Sequence, residues 1–504
     1  MHGDAPASRS LKPRAGSSIE LDPSLFKPRS LRLKPISLLK RPSTYARVLA
    51  ISATTLGLCA GIAITGCATD SSKNTSINQA RTGISQDRLA SHIESFEYVW
   101  NSVKEKHWDP DLNGVDWDQA HADLLPKIQQ AESDSEARQV INELLSRLGQ
   151  SHFGIIPSTS YNRLEEESTA HQSDDKDHEQ SSDEPGWAGM NVRLIDGQFL
   201  VTKVVPDSPA ANAGIKTGWI VDSIRGRSMD SLIEVTREIE GVMRPETQAG
   251  LIAQSRLGGD AGETINMAFS DEHNTMREVS VTLDPSPGVM AGIGELPESP
   301  IEVEATTLDD GIGYFRLSLF MSPGTVLPTY QQFIEDHKDA PGIVIDMRGN
   351  YGGIILMAPG MINWLIDEKG LMGTMKMRDP VRGPFNIPLM LNPRKNNYTG
   401  KVAVLIDELS ISNAEILSAG IKDIGRGKVF GTQTAGLALP STVERLPNGD
   451  GFQYAFADYT TSGGYSLEAQ GTIPDFPIQY TRQGLLSGHD EVLDAATNWI
   501  QNAE

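Results

Sequence analysis

Apolar residues recur at helical spacing in the first patterned part of the chain. One stretch consists of Leu89, Ile93, Phe96, Trp100 and Val103, and a second consists of Ala137, Val140, Ile141, Leu144, Leu145 and Leu148. Residues three and four positions apart share one face of a helix. Ser133, just before the second stretch, belongs to the residue types that favour a helix N-cap. The pattern predicts an N-terminal helical domain over residues 87–158.

A different pattern follows in the middle of the chain. Residues 199–205 and 219–224 are short runs rich in β-branched residues, and proline, alanine and glycine turn signals separate them. Short runs of this kind, bounded by such turn residues, are typical of strands. A compact β-rich domain is therefore predicted over residues 186–290.

Strands and helices alternate in the last part of the chain. Residues 313–317, 342–346 and 402–406 are apolar strand-like runs with helical stretches between them. This alternation favours an α/β core, which we place at residues 300–504. The predicted fold class is therefore a multidomain α/β (α+β) protein.

Two polar segments separate these parts. Between positions 165 and 184 there are nine acidic residues and no leucine, valine, isoleucine or aromatic residue. Such a segment cannot bury itself, so an acidic linker is predicted over residues 159–185. Residues 67–86 are rich in serine, threonine and asparagine and are predicted to be a tether.

The N-terminal segment resembles a bacterial lipoprotein signal. Basic residues at positions 40, 41 and 47 precede a 16-residue apolar stretch over residues 48–63, and Ile64-Thr65-Gly66-Cys67 follows. The resemblance implies a signal peptide over residues 1–66, a lipidated Cys67 and an exported, lipid-anchored protein on the periplasmic side of a bacterial membrane. The alternative is an uncleaved anchor helix, but the stretch is shorter than the about 20 residues that a stable span needs.

The bulk composition excludes some functions. The net charge of -22 over 504 residues makes nucleic acid a poor partner, because phosphate binding depends on clustered lysine and arginine. Histidines 107, 121 and 171 form no closely spaced cluster of the zinc-binding kind. We therefore expect neither a metal nor another cofactor.

The strongest local signal for chemistry lies at residues 402–424. An apolar strand ends at Ile406, a turn carries Ser410 and Ser412, and apolar residues then continue at helical spacing. Ser412 is thereby predicted at a helix N-terminus, where free backbone N–H groups and the helix dipole can stabilise an oxyanion. The pattern alone leaves open that Ser412 is only an N-cap.

Three motifs in order carry a family resemblance. They are residues 311–317 (GIGYFRL), 345–353 (IDMRGNYGG) and 410–416 (SISNAEI). Together they resemble the carboxyl-terminal processing (tail-specific) proteases and the related tricorn protease core. The resemblance implies a crotonase-like (ClpP/crotonase-type) core, Ser412 as nucleophile, and an oxyanion hole of backbone N–H groups from Gly352, Gly353 and Asn413.

The sequence departs from the better-known branch of this family at the general base. That branch has a lysine where this chain has Leu437, and no lysine follows Lys428. A Lys-dependent mechanism is therefore a weak alternative. The tricorn-like branch uses histidine, serine and glutamate instead, and the matching positions here are His152, Ser151 and Glu468. A neutral imidazole can take the Ser412 proton near pH 7, while Ser151 and Glu468 would hold the ring.

The segment over residues 186–192 (GWAGMNV) resembles the carboxylate-binding loop of a PDZ domain. The resemblance implies that backbone N–H groups of Gly189, Met190 and Asn191 receive a peptide C-terminus while the peptide adds a strand to the sheet. The alternative is a β-rich spacer with a glycine-rich turn.

The sequence therefore predicts a serine endopeptidase that cuts polypeptides through an acyl-enzyme on Ser412, with a PDZ-like domain for peptide recognition. Two rival hypotheses remain open. One is a non-catalytic peptide-binding pseudoprotease on the same fold, and the other is a hydrolase with Ser410 as nucleophile. The expected partners are polypeptide substrates and a membrane reached through the lipid anchor.

Overall fold

A computed structural model describes residues 84–159, 184–238, 243–292, 294–296 and 298–502. The predicted signal peptide, the lipidation site Cys67 and nearly all of the tether and the acidic linker lie outside these residues. Within the described ranges, no helix combines the length and the apolar character that crossing a bilayer requires.

The N-terminal module packs three helices around one apolar cluster. Its elements are α1 (Gln86–Lys106), α2 (Trp117–Ile128), α3 (Asp134–Ser146) and the short strand β1 (Gly154–Ile156). Side-chain oxygens of Ser85, Asp116 and Ser133 accept backbone N–H groups in the first turns of the three helices. Both predicted helices are present, and the apolar faces that predicted them are buried in this cluster or packed against it.

The second module is β-rich and is built on a five-stranded antiparallel sheet in the order β3-β4-β5-β8-β9, with the short strand β6 paired to β5. Its strands are β2 (Pro185–Trp187), β3 (Met190–Ile195), β4 (Gln198–Val204), β5 (Ile220–Ile224), β6 (Arg227–Ser228), β7 (Gly259–Asp260), β8 (Thr264–Ser270), β9 (Met276–Thr282) and β10 (Asp284–Pro285). Its helices are α4 (Pro209–Asn212), α5 (Met229–Glu238) and α6 (Pro245–Ser255). β4 and β5 correspond to the two predicted runs.

The third module is an α/β core that begins after the paired strands β11 (Val289–Ala291) and β12 (Ser299–Ile301). Its main sheet consists of β13 (Val303–Thr307), β14 (Gly313–Leu317), β15 (Gly342–Asp346), β18 (Lys401–Ile406), β19 (Lys428–Gly431) and β23 (Phe476–Pro477), hydrogen-bonded in that order. All neighbours are parallel except β13 and β14. The predicted α/β architecture is confirmed in this respect.

Both faces of the main sheet are buried. The helices of the core are α7 (Pro323–Asp336), α8 (Met357–Ile362), α9 (Asn413–Asp423), α10 (Arg482–Leu486) and α11 (Glu491–Asn502). Ile343, Ile345 and Val404 face the cluster formed with α7, α8 and α9, whereas Val344 and Leu405 face α11. Because both faces are covered, the strands read as continuous apolar runs.

Smaller sheets attach to the core. β16 (Gly370–Asp379) pairs with β17 (Gly383–Leu391) and with β22 (Ala457–Thr461). β20 (Ser441–Arg445) and β21 (Gly451–Ala455) form a hairpin, and β1 of the helical module adds to it as a third strand. The segment that precedes β1 is thereby held against the core.

Ion pairs with buried carboxylates fasten both outer modules to the core. Asp450, in the hairpin turn, accepts two hydrogen bonds at 2.9 Å from the guanidinium of Arg138 on α3. In the β-rich module, Nε of Arg193 donates to Oδ2 of Asp407 at 2.8 Å, and both side chains are buried. Such pairs are costly to break, because the remaining charge is left buried without its partner.

Candidate active site

Ser412 lies at the tip of the turn between β18 and α9. It occupies the N-cap position of α9 with φ 56° and ψ -115°. These dihedral angles are strained for a residue with a Cβ, and such strain is concentrated at functional sites. The Ser412 N–H donates to the carbonyl of Leu437 at 2.9 Å and to Oε2 of Glu415 at 2.8 Å. Two hydrogen bonds therefore hold the serine backbone in this conformation.

The carboxylate of Glu415 organises the surroundings of the serine. Besides the Ser412 N–H, it accepts the Thr434 hydroxyl at 2.6 Å and the N–H groups of Gly436 at 2.7 Å and Leu437 at 3.1 Å. Burial raises the pKa of Glu415 to about 7, and these donated hydrogen bonds oppose the rise. The side chain thereby ties residues 434–437 to the first turn of α9.

Two of the three predicted oxyanion donors have a free N–H. Within the described part of the chain, no hydrogen-bond partner exists for the backbone N–H of Gly353 or Asn413. The N–H of Gly352, by contrast, donates to Oδ1 of Asn350 at 2.8 Å. Of the three predicted donors, the N–H groups of Gly353 and Asn413 are therefore available in this structure, while the N–H of Gly352 is occupied within its own turn.

Gly352 is important because a side chain at this position would collide with Ser412. Its φ is +92°, and a Cβ on it would lie 2.6 Å from Cβ of Ser412 and 3.0 Å from the backbone nitrogen of Asn413. The first distance is too short for real atoms and the second is very tight, so the missing side chain of the glycine allows its turn to approach the serine.

Substituting Gly352→Ala is expected to lower kcat for peptide hydrolysis by more than about 100-fold, because the new Cβ displaces Ser412. Gly383→Ala is the matched control, since its φ of +81° imposes similar strain with nothing within 4 Å of the added carbon. The control should retain wild-type kcat. Equal kcat in the two variants, measured by steady-state kinetics, would show that the contact with Ser412 does not matter.

Ser151, His152 and Glu468 form a hydrogen-bonded chain across 317 positions of sequence. Oγ of Ser151 lies 2.7 Å from Nδ1 of His152 and donates to Oε2 of Glu468 at 2.9 Å. The Ser151 N–H donates to Oε1 of the same carboxylate at 2.7 Å. The structure thus brings together three of the four residues predicted as catalytic, two from the helical module and one from the core.

This chain of hydrogen bonds fixes the tautomer of His152. With Glu468 ionised, the single hydroxyl proton of Ser151 is directed to this carboxylate, so Oγ accepts a hydrogen bond from Nδ1–H of His152. The neutral ring then carries its lone pair on Nε2. That nitrogen is buried and has no hydrogen-bond partner among the described residues, which is the arrangement expected of a base that awaits a proton.

Glu468 also connects the surroundings of His152 with those of Ser412. Its Oε2 accepts the N–H of Ala438 at 3.2 Å, and the carbonyl of the preceding Leu437 accepts the N–H of Ser412. Burial raises the pKa of Glu468, and the hydrogen bonds from Ser151 and Ala438 oppose that rise. Residues 437 and 438 therefore connect the two halves of the site through backbone hydrogen bonds.

The pH dependence of activity should reflect the desolvation of the His152 ring, whose Nε2 atom is buried. Burial lowers the pKa of His152 to about 3, whereas an exposed histidine, with a pKa of about 6.5, is only about 9% neutral at pH 5.5. The acid limb of kcat/KM, which reports the free enzyme, is expected to have its midpoint well below pH 6.5. A midpoint near 6.5 would contradict this assignment.

The same pKa shift acts on stability, so folding must be monitored in that experiment. The folded pKa of His152 lies below the unfolded one, and the unfolded chain therefore binds more protons between about pH 6.5 and 3. The stabilisation from the neutral histidine is complete above pH 6.5 and is lost as the pH falls through this window. Circular dichroism at each pH separates unfolding from protonation of the base.

Ser410, the alternative nucleophile, is completely buried. Its hydroxyl donates to the carbonyl of Met347 at 2.8 Å and contacts Oδ1 of Asp407 at 3.1 Å. It also accepts the N–H of Asp407 at 3.0 Å. The Ser410 hydroxyl is thus occupied by hydrogen bonds within the turn, and the geometry favours Ser412 as the nucleophile.

Sequence reasoning missed the ion pair that supports both turns of the site. Asp407 accepts Arg193 from the β-rich module and also the N–H of Gly349, at 2.8 Å, in the glycine-rich turn. A Cβ on Gly349 would lie 2.6 Å from the Arg193 guanidinium. The only local signal was an acidic residue at a strand end, which did not identify its partner 214 positions away.

The predicted peptide-binding residues lie at the start of β3. Gly189 has φ +78° and precedes the strand, Met190 is buried, and Asn191 pairs with Lys203 of β4. Within the described chain, the N–H groups of Ala188 and Gly189 have no hydrogen-bond partner. β3 is an edge strand of its sheet.

Asp271, Glu272 and His273 are close enough together for one atom from each to contact a common ion. Asp271 already accepts the N–H groups of His273 and Thr275 and pairs with Arg277, so the turn stabilises itself. No second observation points to a metal at this turn.

Two family models match the chain. Residues 90–146 match the tricorn protease C1 domain, and residues 311–478 match peptidase family S41. The predicted relationship to the carboxyl-terminal processing proteases and the tricorn core is thereby confirmed. The C1 match covers most of α1 and all of α2 and α3, and the S41 match contains Ser412 and Glu468.

Individual relatives agree with these matches. Tricorn protease homolog 1 of Streptomyces coelicolor is 22% identical over 452 residues, which cover 85% of this chain and 37% of that protein. The carboxyl-terminal-processing protease of Picosynechococcus sp. is 22% identical over 400 residues, which cover 77% of this chain and 84% of that protein. This chain spans only 32% to 52% of the length of three curated relatives.

A solved structure supports the fold. The photosystem II D1 C-terminal processing protease aligns with a TM-score of 0.50 at 19% identity, covering 81% of this chain and 99% of that one. At this level of identity the likeness concerns the fold alone.

Proposed function

We propose that the protein is a serine-type endopeptidase with Ser412 as nucleophile. The premise is that residues 90–146 match the tricorn protease C1 domain and residues 311–478 match peptidase family S41. One observation carries the proposal. The imidazole of His152 is held by the Ser151–Glu468 pair in the tautomer that leaves Nε2 basic, and this nitrogen is buried without a partner.

The proposed reaction follows the serine-protease scheme. Oγ of Ser412 attacks the peptide carbonyl carbon while Nε2 of His152 takes the hydroxyl proton. The N–H groups of Gly353 and Asn413 bind the resulting oxyanion. As the C–N bond breaks, His152 returns the proton to the leaving amine and an acyl-enzyme remains on Ser412. Water, deprotonated by His152, then releases the acid and restores the serine.

Glu468 acts through Ser151 in this scheme. When His152 becomes an imidazolium, its Nδ1–H still donates to Oγ of Ser151, whose own proton remains on the side of the carboxylate. The negative charge of Glu468 thereby stabilises the positively charged ring through the intervening Ser151 hydroxyl. Acting through an intervening hydroxyl also keeps the carboxylate out of direct contact with the ring.

We propose in addition that the β-rich module recognises peptides in the manner of a PDZ domain. The free N–H groups of Ala188 and Gly189 suit a peptide carboxylate, and the edge strand β3 can accept an added strand. Oε1 of Gln254 on α6 accepts the N–H of Val192 at 3.3 Å. An incoming peptide would have to displace this contact.

The N-terminal sequence supports a further proposal, that the protein is exported and lipid-anchored through Cys67. Mass spectrometry of the mature N-terminus should find a lipid-modified Cys67, and Cys67→Ala should move the protein to the soluble fraction. An unmodified, membrane-retained chain would instead support an uncleaved anchor.

The decisive experiment for the peptidase proposal is labelling with a fluorophosphonate probe, followed by peptide mapping. Wild-type protein should be labelled on Ser412, and His152→Ala should be labelled at least about 1,000-fold more slowly because the hydroxyl loses its base. A label on Ser410 would support the alternative nucleophile. Absence of any label, together with no cleavage of unfolded protein substrates, would support a pseudoprotease.

A further inference from the structure

A cavity of about 330 Å³ lies between the β-rich module and the core. One wall is the outer face of β3 and β4, and the opposite wall comes from β13, β14 and the segment around Tyr480. The cavity is not lined by Ser412, His152 or Glu468. The cavity is therefore separate from the proposed catalytic residues.

Two cross-strand pairs face each other in this cavity. Asn191 and Lys203 are directly opposite on β3 and β4, and Glu304 and Arg316 are directly opposite on β13 and β14. Opposite residues of antiparallel strands project from the same face, and all four residues line the cavity. Nζ of Lys203 lies 3.7 Å from Oε2 of Glu304, which connects the two walls.

The other arginines of the cavity already have partners. Arg193 is paired with Asp407 at 2.8 Å. Arg348 is paired with Asp346 at 2.6 Å and with Asp490 at 2.7 Å. Because Arg348 takes two carboxylates, Glu304 is the one carboxylate left outside these pairs, and Lys203 and Arg316 both face it. The lining as a whole has four lysine and arginine side chains and four carboxylates, and the charge of Arg316 also lowers the pKa of Asp346.

Hydrogen-bond donors are in excess among these groups. Throughout the described ranges, the guanidinium of Arg316 and the side-chain amide of Asn191 have no hydrogen bond or ion pair, and Lys203 has only its 3.7 Å contact with Glu304. An arginine has five N–H donors in a planar fork and a lysine has three. Arg316, Lys203 and Asn191 thus present convergent donors that Glu304 alone does not satisfy.

The two cations also repel each other across the interface. Burial lowers the pKa of Lys203 and the positive charge of Arg316 lowers it further, whereas the carboxylates of Glu304 and Asp346 raise it. Like charges from two packed modules oppose docking, whereas an oxyanion between them would attract both. The planar fork of arginine binds carboxylate and phosphate groups in a bidentate manner.

We propose that this cavity binds a small oxyanion, a carboxylate or a phosphate, through Arg316, Lys203 and Asn191, and that the bound anion joins the β-rich module to the core. A volume of about 330 Å³ suits a small molecule and not a folded partner. The site is distinct from the peptide-binding loop and from the proposed active site, and it does not depend on peptidase activity.

Isothermal titration calorimetry and thermal unfolding test the proposal on the purified protein. Inorganic phosphate and succinate are the probes in separate titrations, and sodium chloride of equal ionic strength is the reference. At least one probe should bind saturably at millimolar concentration or below and raise the unfolding midpoint above that in the reference salt. Which probe binds more tightly distinguishes a phosphate ligand from a carboxylate ligand.

Arg316→Gln should weaken the binding by about tenfold or more, because it removes a charge-assisted bidentate contact. Arg227→Gln is the matched control: it removes the same charge from an exposed residue outside the cavity and should bind like the wild type. If Arg316→Gln does not fold, Lys203→Gln decides in its place. Failure of both probes to bind the wild type, or equal binding by the wild type and the cavity variant, would overturn the proposal.

Discussion

Ser412→Ala is expected to lower kcat/KM for peptide hydrolysis by about 10⁵-fold or more, which is the scale found when a catalytic serine is removed. The substitution keeps the Cβ and the strained backbone of the turn, and both hydrogen bonds of the Ser412 N–H remain possible. The unfolding midpoint should therefore stay close to that of the wild type. Steady-state kinetics on an unfolded protein or a peptide, with thermal unfolding in parallel, measure both quantities.

Ser410→Ala is the control for this prediction. Its hydroxyl is buried and hydrogen-bonded to Met347 and Asp407, so its loss should cost about 1–3 kcal/mol of stability. Catalysis should survive wherever the variant remains folded. If instead Ser412→Ala is active and a folded Ser410→Ala is inactive, the nucleophile has been misassigned.

Glu468→Gln is expected to lower kcat by about 10³-fold with little change in KM. A glutamine places an N–H₂ group beside the Ser151 hydroxyl, which can then turn its proton toward Nδ1 of His152. The ring would respond by carrying its proton on Nε2, the wrong tautomer for a general base. An equivalent carboxylate-to-amide change in a serine protease costs about 10⁴-fold, and the intervening serine should reduce the effect.

Glu444→Gln is the matched control for the Glu468→Gln substitution. Glu444 accepts hydrogen bonds from Lys106, Tyr98 and Tyr454 and is likewise shared between the helical module and the hairpin. It lies outside the hydrogen-bonded chain of His152, so its loss should affect stability and leave kcat of the folded protein within a few-fold. Equal losses of kcat in the two variants would point to general damage at the module interface.

The local architecture of the core could be predicted because its strands are buried on both faces. The apolar runs at 313–317 and 342–346 have the same bounds as β14 and β15. The ribbon of β16 and β17 was not predicted. Its outer strand β17 contains Pro384 and Pro388 and alternates between half-buried and exposed positions over much of its length, so no apolar run marks it.

The site could be predicted only as far as the family resemblance reached. No periodicity connects Ser151 with Glu468 or Arg193 with Asp407, because those hydrogen bonds depend on how three modules pack. The role of Gly352 shows the same limit. The sequence indicated a glycine-rich turn, but only the coordinates show that its N–H is occupied and that its missing side chain leaves room for Ser412.

The central claim is that His152 is the base that activates Ser412, and chemical rescue tests it most directly. Added imidazole should restore hydrolysis to His152→Ala in a saturable manner, with a rate that follows the neutral form of the added base. The double variant His152→Ala, Ser412→Ala should show no rescue. A His152→Ala protein that keeps wild-type kcat without imidazole would contradict the account.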